Sequence, residues 1–292
     1  MNRALRIFTI LAVLLMAAFV FAQRGFRGGG RGYGRAGMDG VRTPRELPSG
    51  STGTPNWTNA PGFEKDVFTF ARVHYTSGYR GFSGGNWMTD TPDSDLNLSY
   101  RLQQMTSLKV DPDGRFIRLT DPELSDFGWI YIVEPGRLEF TDEEVGTLRK
   151  YLLNGGFLMI DDFWGEAEWE NMEREIKRVF PERQFVDLPM DHPVFHCVFN
   201  LDGPKNKLQV PNINIGRDSE TSGITWERSD AREVHIRGIF DDKGRMMIIA
   251  THNTDNGDGW EREGESAYYF KNFSEKISYP LGINIIFYAM TH

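Results

Sequence analysis

The stretch WIYIVEPGRLEFTDEEVGTLRKYLLNGGFLMIDDFW, residues 129–164, decides the fold. Trp129 to Val133 is an unbroken run of β-branched and aromatic residues, the composition of a strand buried on both faces. Thr141 followed by Glu144 spells a capping box, Val145, Leu148 and Leu152 recur at helical spacing, and Asn154-Gly155 supplies the helix stop. Phe157 to Ile160 is a second buried run. Strand, helix and strand in so short a span predict two parallel strands joined by a crossover helix.

The alternation extends in both directions. Trp169, Met172, Ile176 and Val179 form the apolar stripe of a helix that Pro181 stops. Upstream, Val67 to Val73 alternates as a strand, a helix capped by Asp93 or Ser94 carries Leu98, Leu102 and Met105, and Phe116 to Leu119 is a short strand. Downstream the pattern changes. His235 to Phe240 and Arg245 to Thr251 flank the turn Asp241-Asp242-Lys243-Gly244 as an antiparallel hairpin, and a last helix starts at Pro280 and turns Leu281, Ile285 and Tyr288 inward. The expected fold class is α/β: a mainly parallel sheet flanked by helices, with an antiparallel hairpin extension, in a single domain over residues 63–292.

Ahead of the domain, Arg3 and Arg6 precede the uncharged run Ile7–Ala22, and Val20 and Ala22 place small residues where a signal peptidase cuts. Residues 1–22 therefore read as a signal peptide, and the chain is expected in the periplasm or outside the cell. The alternative is an uncleaved anchor, although 16 uncharged residues fall short of the roughly 20 that cross a bilayer. Residues 23–62, Gly/Arg-rich and then rich in Pro, Ser and Thr, read as a linker whose arginines touch a membrane surface weakly at most.

Met1 to Glu46 holds eight Arg against Asp39 and Glu46, a net of +6, so the overall −8 leaves −14 on the remainder. So acidic a domain is a poor partner for nucleic acid. Its 39% hydrophobic residues suffice for a core. Cys197 is the single cysteine, expected to be buried beside Phe195, Val198 and Phe199, so no internal disulfide supports the fold.

In open α/β sheets ligands gather outside the carboxyl ends of the strands. The residues that follow the strands are His74 and Tyr75, then Glu134, then Asp161, Asp162 and Trp164, and finally His252 and Asn253. They form the candidate binding set. One reading gives them a small polar ligand, such as a carbohydrate stacked on Trp164, or a partner protein of the cell envelope. A rival makes His74, Glu134, Asp161, Asp162 and His252 the ligands and acid/base groups of a metal-assisted hydrolase. A third, structural account has the aspartates cap the following helix, Glu134-Pro135-Gly136 form a turn, and the histidines sit satisfied. No catalytic residue, metal or cofactor is assigned.

Three other motifs fall short of their templates. Asp191-His192 has no Ser or Cys elbow, and Pro193 between His192 and His196 removes zinc-helix spacing. Gly81-Phe82-Ser83-Gly84-Gly85 lacks the P-loop lysine. Asp255-Asn256-Gly257-Asp258-Gly259 has the composition of a calcium loop without its ligand spacing, and reads as a turn.

Phe68-Thr69-Phe70-Ala71-Arg72-Val73-His74-Tyr75, Gly155 to Asp162, Asp191-His192-Pro193-Val194-Phe195 and Tyr279-Pro280-Leu281-Gly282-Ile283-Asn284 together resemble an uncharacterised bacterial family, the domain of unknown function 4159. The resemblance spans about Phe63 to His292. It implies a flavodoxin-like architecture similar to class I glutamine amidotransferases, and export or membrane attachment. It does not imply amidotransferase chemistry, because the elbow after Ile160 offers Asp161 and Asp162 where those enzymes carry Cys. The expected role is a non-catalytic binding or interaction domain, with a purely structural envelope protein as a further alternative.

Overall fold

The computed structural model describes residues 40–62, 66–77 and 87–292; the segment 1–22 read as a signal peptide, the Gly/Arg-rich stretch and the Gly81–Gly85 motif lie outside them. Seven strands make one sheet in the order β2-β1-β3-β4-β7-β6-β5. The strands are β1 (Ala71–Val73), β2 (Arg115–Ile117), β3 (Trp129–Val133), β4 (Phe157–Asp161), β5 (Val186–Asp187), β6 (His235–Phe240) and β7 (Met246–His252). From β2 to β7 every pairing is parallel, whereas β6 pairs antiparallel with both β7 and β5. The five parallel strands thus follow the flavodoxin order, with the switch point between β1 and β3.

Residues 129–164 fold as read. Every residue of β3 and β4 is buried, and the two strands pair in register from Trp129–Phe157 to Val133–Asp161. Between them runs α2 (Asp142–Leu153), opened by the Thr141–Glu144 capping box. It follows α1 (Asp93–Met105) and precedes α3 (Gly165–Val179), α4 (Ile213–Ser222) and α5 (Asn256–Glu261). The chain closes with a helical turn at Ala267–Tyr269, a π-helical stretch Phe270–Ser278, and α6 (Tyr279–Thr291). One apolar layer forms on each face of the sheet. Phe70, Tyr131, Met159 and Ile249 meet α1 and α6, and Ile130, Ile132, Leu158 and Ile248 meet α2 and α3.

Four expectations are corrected. Neither Asp93 nor Ser94 caps α1; both lie inside its first turn, with Pro92 at the cap. Neither Asp161 nor Asp162 caps α3, whose cap position is Trp164. Cys197 is exposed rather than buried, its thiol donating to the Asn284 carbonyl at 3.1 Å. Residues 42–59, read as linker, are part of the folded unit. Leu47 is buried, Phe116 N donates to the Arg42 carbonyl at 2.8 Å, Arg45 donates to the carbonyl of Pro112, and the Trp57 indole donates to that of Val110. Polar composition concealed this because these contacts are made chiefly by backbone groups and long side chains. Among the described residues no helix is long and apolar enough to cross a membrane.

Candidate functional site

The described residues include four non-glycine positions with left-handed backbone, and all four lie just beyond strand ends or in the loops that follow: Asp90 (φ 65°), Glu134 (φ 47°), Asp162 (φ 55°) and Asn253 (φ 63°). Such conformations cost energy and persist where surrounding structure imposes them, commonly at binding sites. Each follows a different parallel strand, so the distortion is concentrated at the carboxyl edge of the sheet.

Most of the predicted set is employed there in holding the fold. Asp161, fully buried at the end of β4, accepts from Tyr131 Oη at 3.0 Å, Thr251 Oγ1 at 2.5 Å, Asn256 Nδ2 at 2.8 Å and Gly257 N at 3.1 Å. Four donors occupy its lone pairs, so Asp161 fastens β3, β7 and α5 together and offers nothing to a metal. Tyr75, also buried, points its hydroxyl at the carbonyls of Val133 and Glu134 at 2.9 and 2.8 Å. It closes the switch point between β1 and β3.

His252 is 1% exposed, with Nε2 3.1 Å from the Gly165 carbonyl and Nδ1 3.2 Å from the Arg237 guanidinium. These partners require a neutral ring with the proton on Nε2. Burial lowers its pKa to about 4. Phe163 stacks on the ring at a centroid distance of 4.9 Å. Asn253 accepts from Gly165 N and donates to the Glu233 carbonyl, so both residues hold the turn into α3. His74 stacks on Trp87 at 4.1 Å. Trp164 is 3% exposed, which leaves no indole face for a sugar, and its Nε1 donates to Asp162 Oδ1 at 3.0 Å.

Asp162 therefore remains, with partners that sequence reasoning missed. Carboxylate oxygens of Asp90, Asp162 and Asp255 lie within 4.8 Å of one another, and Asp90 forms a second such group with Asp258 and Glu261. Burial, reinforced by neighbouring acids, drives the carboxyls of Asp90, Asp162 and Asp255 well above the usual range. Glu134 is the foremost charged neighbour raising Asp162. Glu261 is pushed up to about 8, chiefly by burial.

Asp90 reaches this position through Arg72, whose guanidinium is fully buried in β1. Arg72 donates to Asp95 and Ser94 on α1 and to the carbonyls of Trp87 and Thr89 at 3.1 and 3.0 Å. The segment that carries Asp90 is thereby clamped from both sides. The clue in the sequence is a charged residue in the middle of an apolar strand, where burial demands a partner. The other clue is the calcium-like composition of residues 255–259, whose acids, besides the bond that Asp255 accepts from Asp258 N, meet carboxylates from distant loops.

No curated protein sequence matches the chain. The family profile described as a domain of unknown function (DUF4159) matches residues 69–290. That span runs from β1 into the last turn of α6, including Asp90, Asp162 and Asp255, and on this match the chain belongs to the DUF4159 family.

Proposed function

We propose that the chain is an exported, non-catalytic binding protein that takes a polar ligand at the carboxyl edge of its sheet. The observation that supports this reading is the convergence of Asp90, Asp162 and Asp255, from loops after three strands, at the edge where the backbone is most distorted. Acidic groups so placed favour a ligand that brings positive charge or hydrogen-bond donors. Export rests on the basic start, the uncharged run to Ala22 and the small residues at Val20 and Ala22.

A thermal-shift screen of the purified protein against cations, amines, sugars and short peptides tests the reading. At least one class should raise the melting temperature in the native chain and have no effect in Asp162→Asn. A shift that survives this substitution moves the site elsewhere. Cell fractionation should find the chain outside the cytoplasm with Gln23 at its start, and a cytoplasmic chain that retains Met1 would remove the export half.

A further inference from the structure

Three buried carboxylates this close cannot all ionise without a counter-charge, since like charges repel strongly where water is excluded. Asp258 and Glu261 have their own cation, because Arg262 Nε lies 3.3 Å from Asp258 and 2.6 Å from Glu261. Asp95 has Arg72. Among the described residues, Asp90, Asp162 and Asp255 have no basic partner within ion-pairing distance.

Few hydrogen bonds reach them, and Asp90 is the extreme case. Asp162 spends Oδ1 on the Trp164 indole and Asp255 spends Oδ1 on Asp258 N at 2.7 Å. Asp90, only 9% exposed, has a buried Oδ2 with no partner. That oxygen sits against Gly257, where any β-carbon would collide with it. An unpartnered buried oxygen has given up its hydration without replacement, and the cost is greater when it is charged. Arg72 attracts the Asp90 charge but spends its hydrogen bonds on Asp95, Ser94 and the carbonyls of Trp87 and Thr89, so the loop is anchored without a bond to Asp90.

We infer that Asp90, Asp162 and Asp255 form a binding site for one hard divalent cation of the Ca2+ or Mg2+ class. Oxygens all within 4.8 Å of one another fit around a single ion whose ligands stand at about 2.3–2.6 Å, the calcium range, and water completes the shell. The ligand set has carboxylates and no sulfur or free imidazole, as a hard cation prefers. Tyr131 Oη donates to Asp161, whose carboxylate ties the neighbouring segments together from outside the ligand set. The tether between α5 and β4, through Gly257 N and Asn256 Nδ2 to Asp161, keeps Asp255 and Asp162 in mutual register. The inference deepens the binding reading by naming its ligand.

The test uses the full mature chain, stripped with EDTA and desalted. Ca2+, Mg2+ and Mn2+ are titrated calorimetrically, and Tb3+ is titrated while its luminescence is excited through tryptophan, for which Trp164 is the adjacent donor. One equivalent of Ca2+ or Mg2+ should bind saturably and raise the melting temperature. Asp90→Asn and Asp255→Asn should each weaken binding at least tenfold; asparagine keeps the helix-capping ability of Asp255. Asp142→Asn, on an exposed side chain, should bind as the native chain does. Absence of saturable binding by the native chain, or binding unchanged in both variants, overturns the site. If Asp90→Asn does not fold, Asp255→Asn and the native stoichiometry decide. Failure here with a surviving shift by an organic ligand would leave the binding reading intact without its cation. A bound cation and no organic ligand would make the cation the ligand itself.

Discussion

At the scale of single residues, chemical capability and structural employment compete for the same polar atoms. His252 and Asp161 are capable of ligation, and each is consumed by hydrogen bonds inside the fold, while Asp90, in a loop after β1 with no neighbouring motif, retains an unpartnered oxygen. His252 gives this a measurable consequence. Its folded pKa of about 4 lies below the unfolded value of about 6.5, so between these values the unfolded chain binds more protons and stability rises with pH. The stabilisation is complete above about pH 6.5 and is lost as pH falls toward 4, by up to about 3 kcal/mol at 1.4 kcal/mol per unit. Urea unfolding at pH 7 and pH 5 should show a larger loss for the native chain than for His252→Phe. Equal losses would mean that the ring is not held neutral by burial.

At the scale of elements, legibility followed the locality of the signal. The Thr141–Glu144 box, the stop at Asn154-Gly155 and the buried runs of β3 and β4 are determined by residues within a few positions of one another, so they were readable without the fold. The hairpin of β6 and β7 was readable for the same reason, its turn being closed by Asp241, which accepts from Lys243 N and Arg245 N at 2.9 Å. α3 was harder to start. Its first turn is fixed by Asn253, just past the end of β7, and by Glu168 Oε2, which accepts from Trp164 N at 2.8 Å, so the aspartates ahead of it do not make the cap that their position in the sequence suggests. β5 escaped altogether, because two exposed residues carry no periodicity and pair only through β6. The carboxylate cluster is the extreme case. Its members come from positions 90, 162 and 255, and no window of sequence contains two of them.

At the scale of the whole molecule, the acidic domain and its N-terminal arm have to be considered together. Composition separated them near Phe63, yet Asp93 at the start of α1 takes its partners from the arm, Ser49 Oγ at 2.5 Å and Gly50 N at 2.7 Å. Arg45 gives its guanidinium to the carbonyls of Thr54 and Pro112, and the arm runs along the free edge of β2, where Phe116 N meets the Arg42 carbonyl. An exposed strand edge invites pairing with other chains, and covering it is a common remedy. A chain that begins at Phe63 therefore leaves a buried aspartate without donors, opens the edge of β2 and loses the packing of Leu47. Net hydrogen bonds of about 1 kcal/mol each and an unpaired buried carboxylate at about 1–3 kcal/mol put the total near 5 kcal/mol. At about 2–4 °C per kcal/mol for a domain of this size, the melting temperature should fall by roughly 10–20 °C relative to a chain that begins at Gly40. The shorter chain should also form oligomers in sedimentation as its edge pairs. If both chains melt together and stay monomeric, the arm is a linker after all, and the domain begins where composition places it.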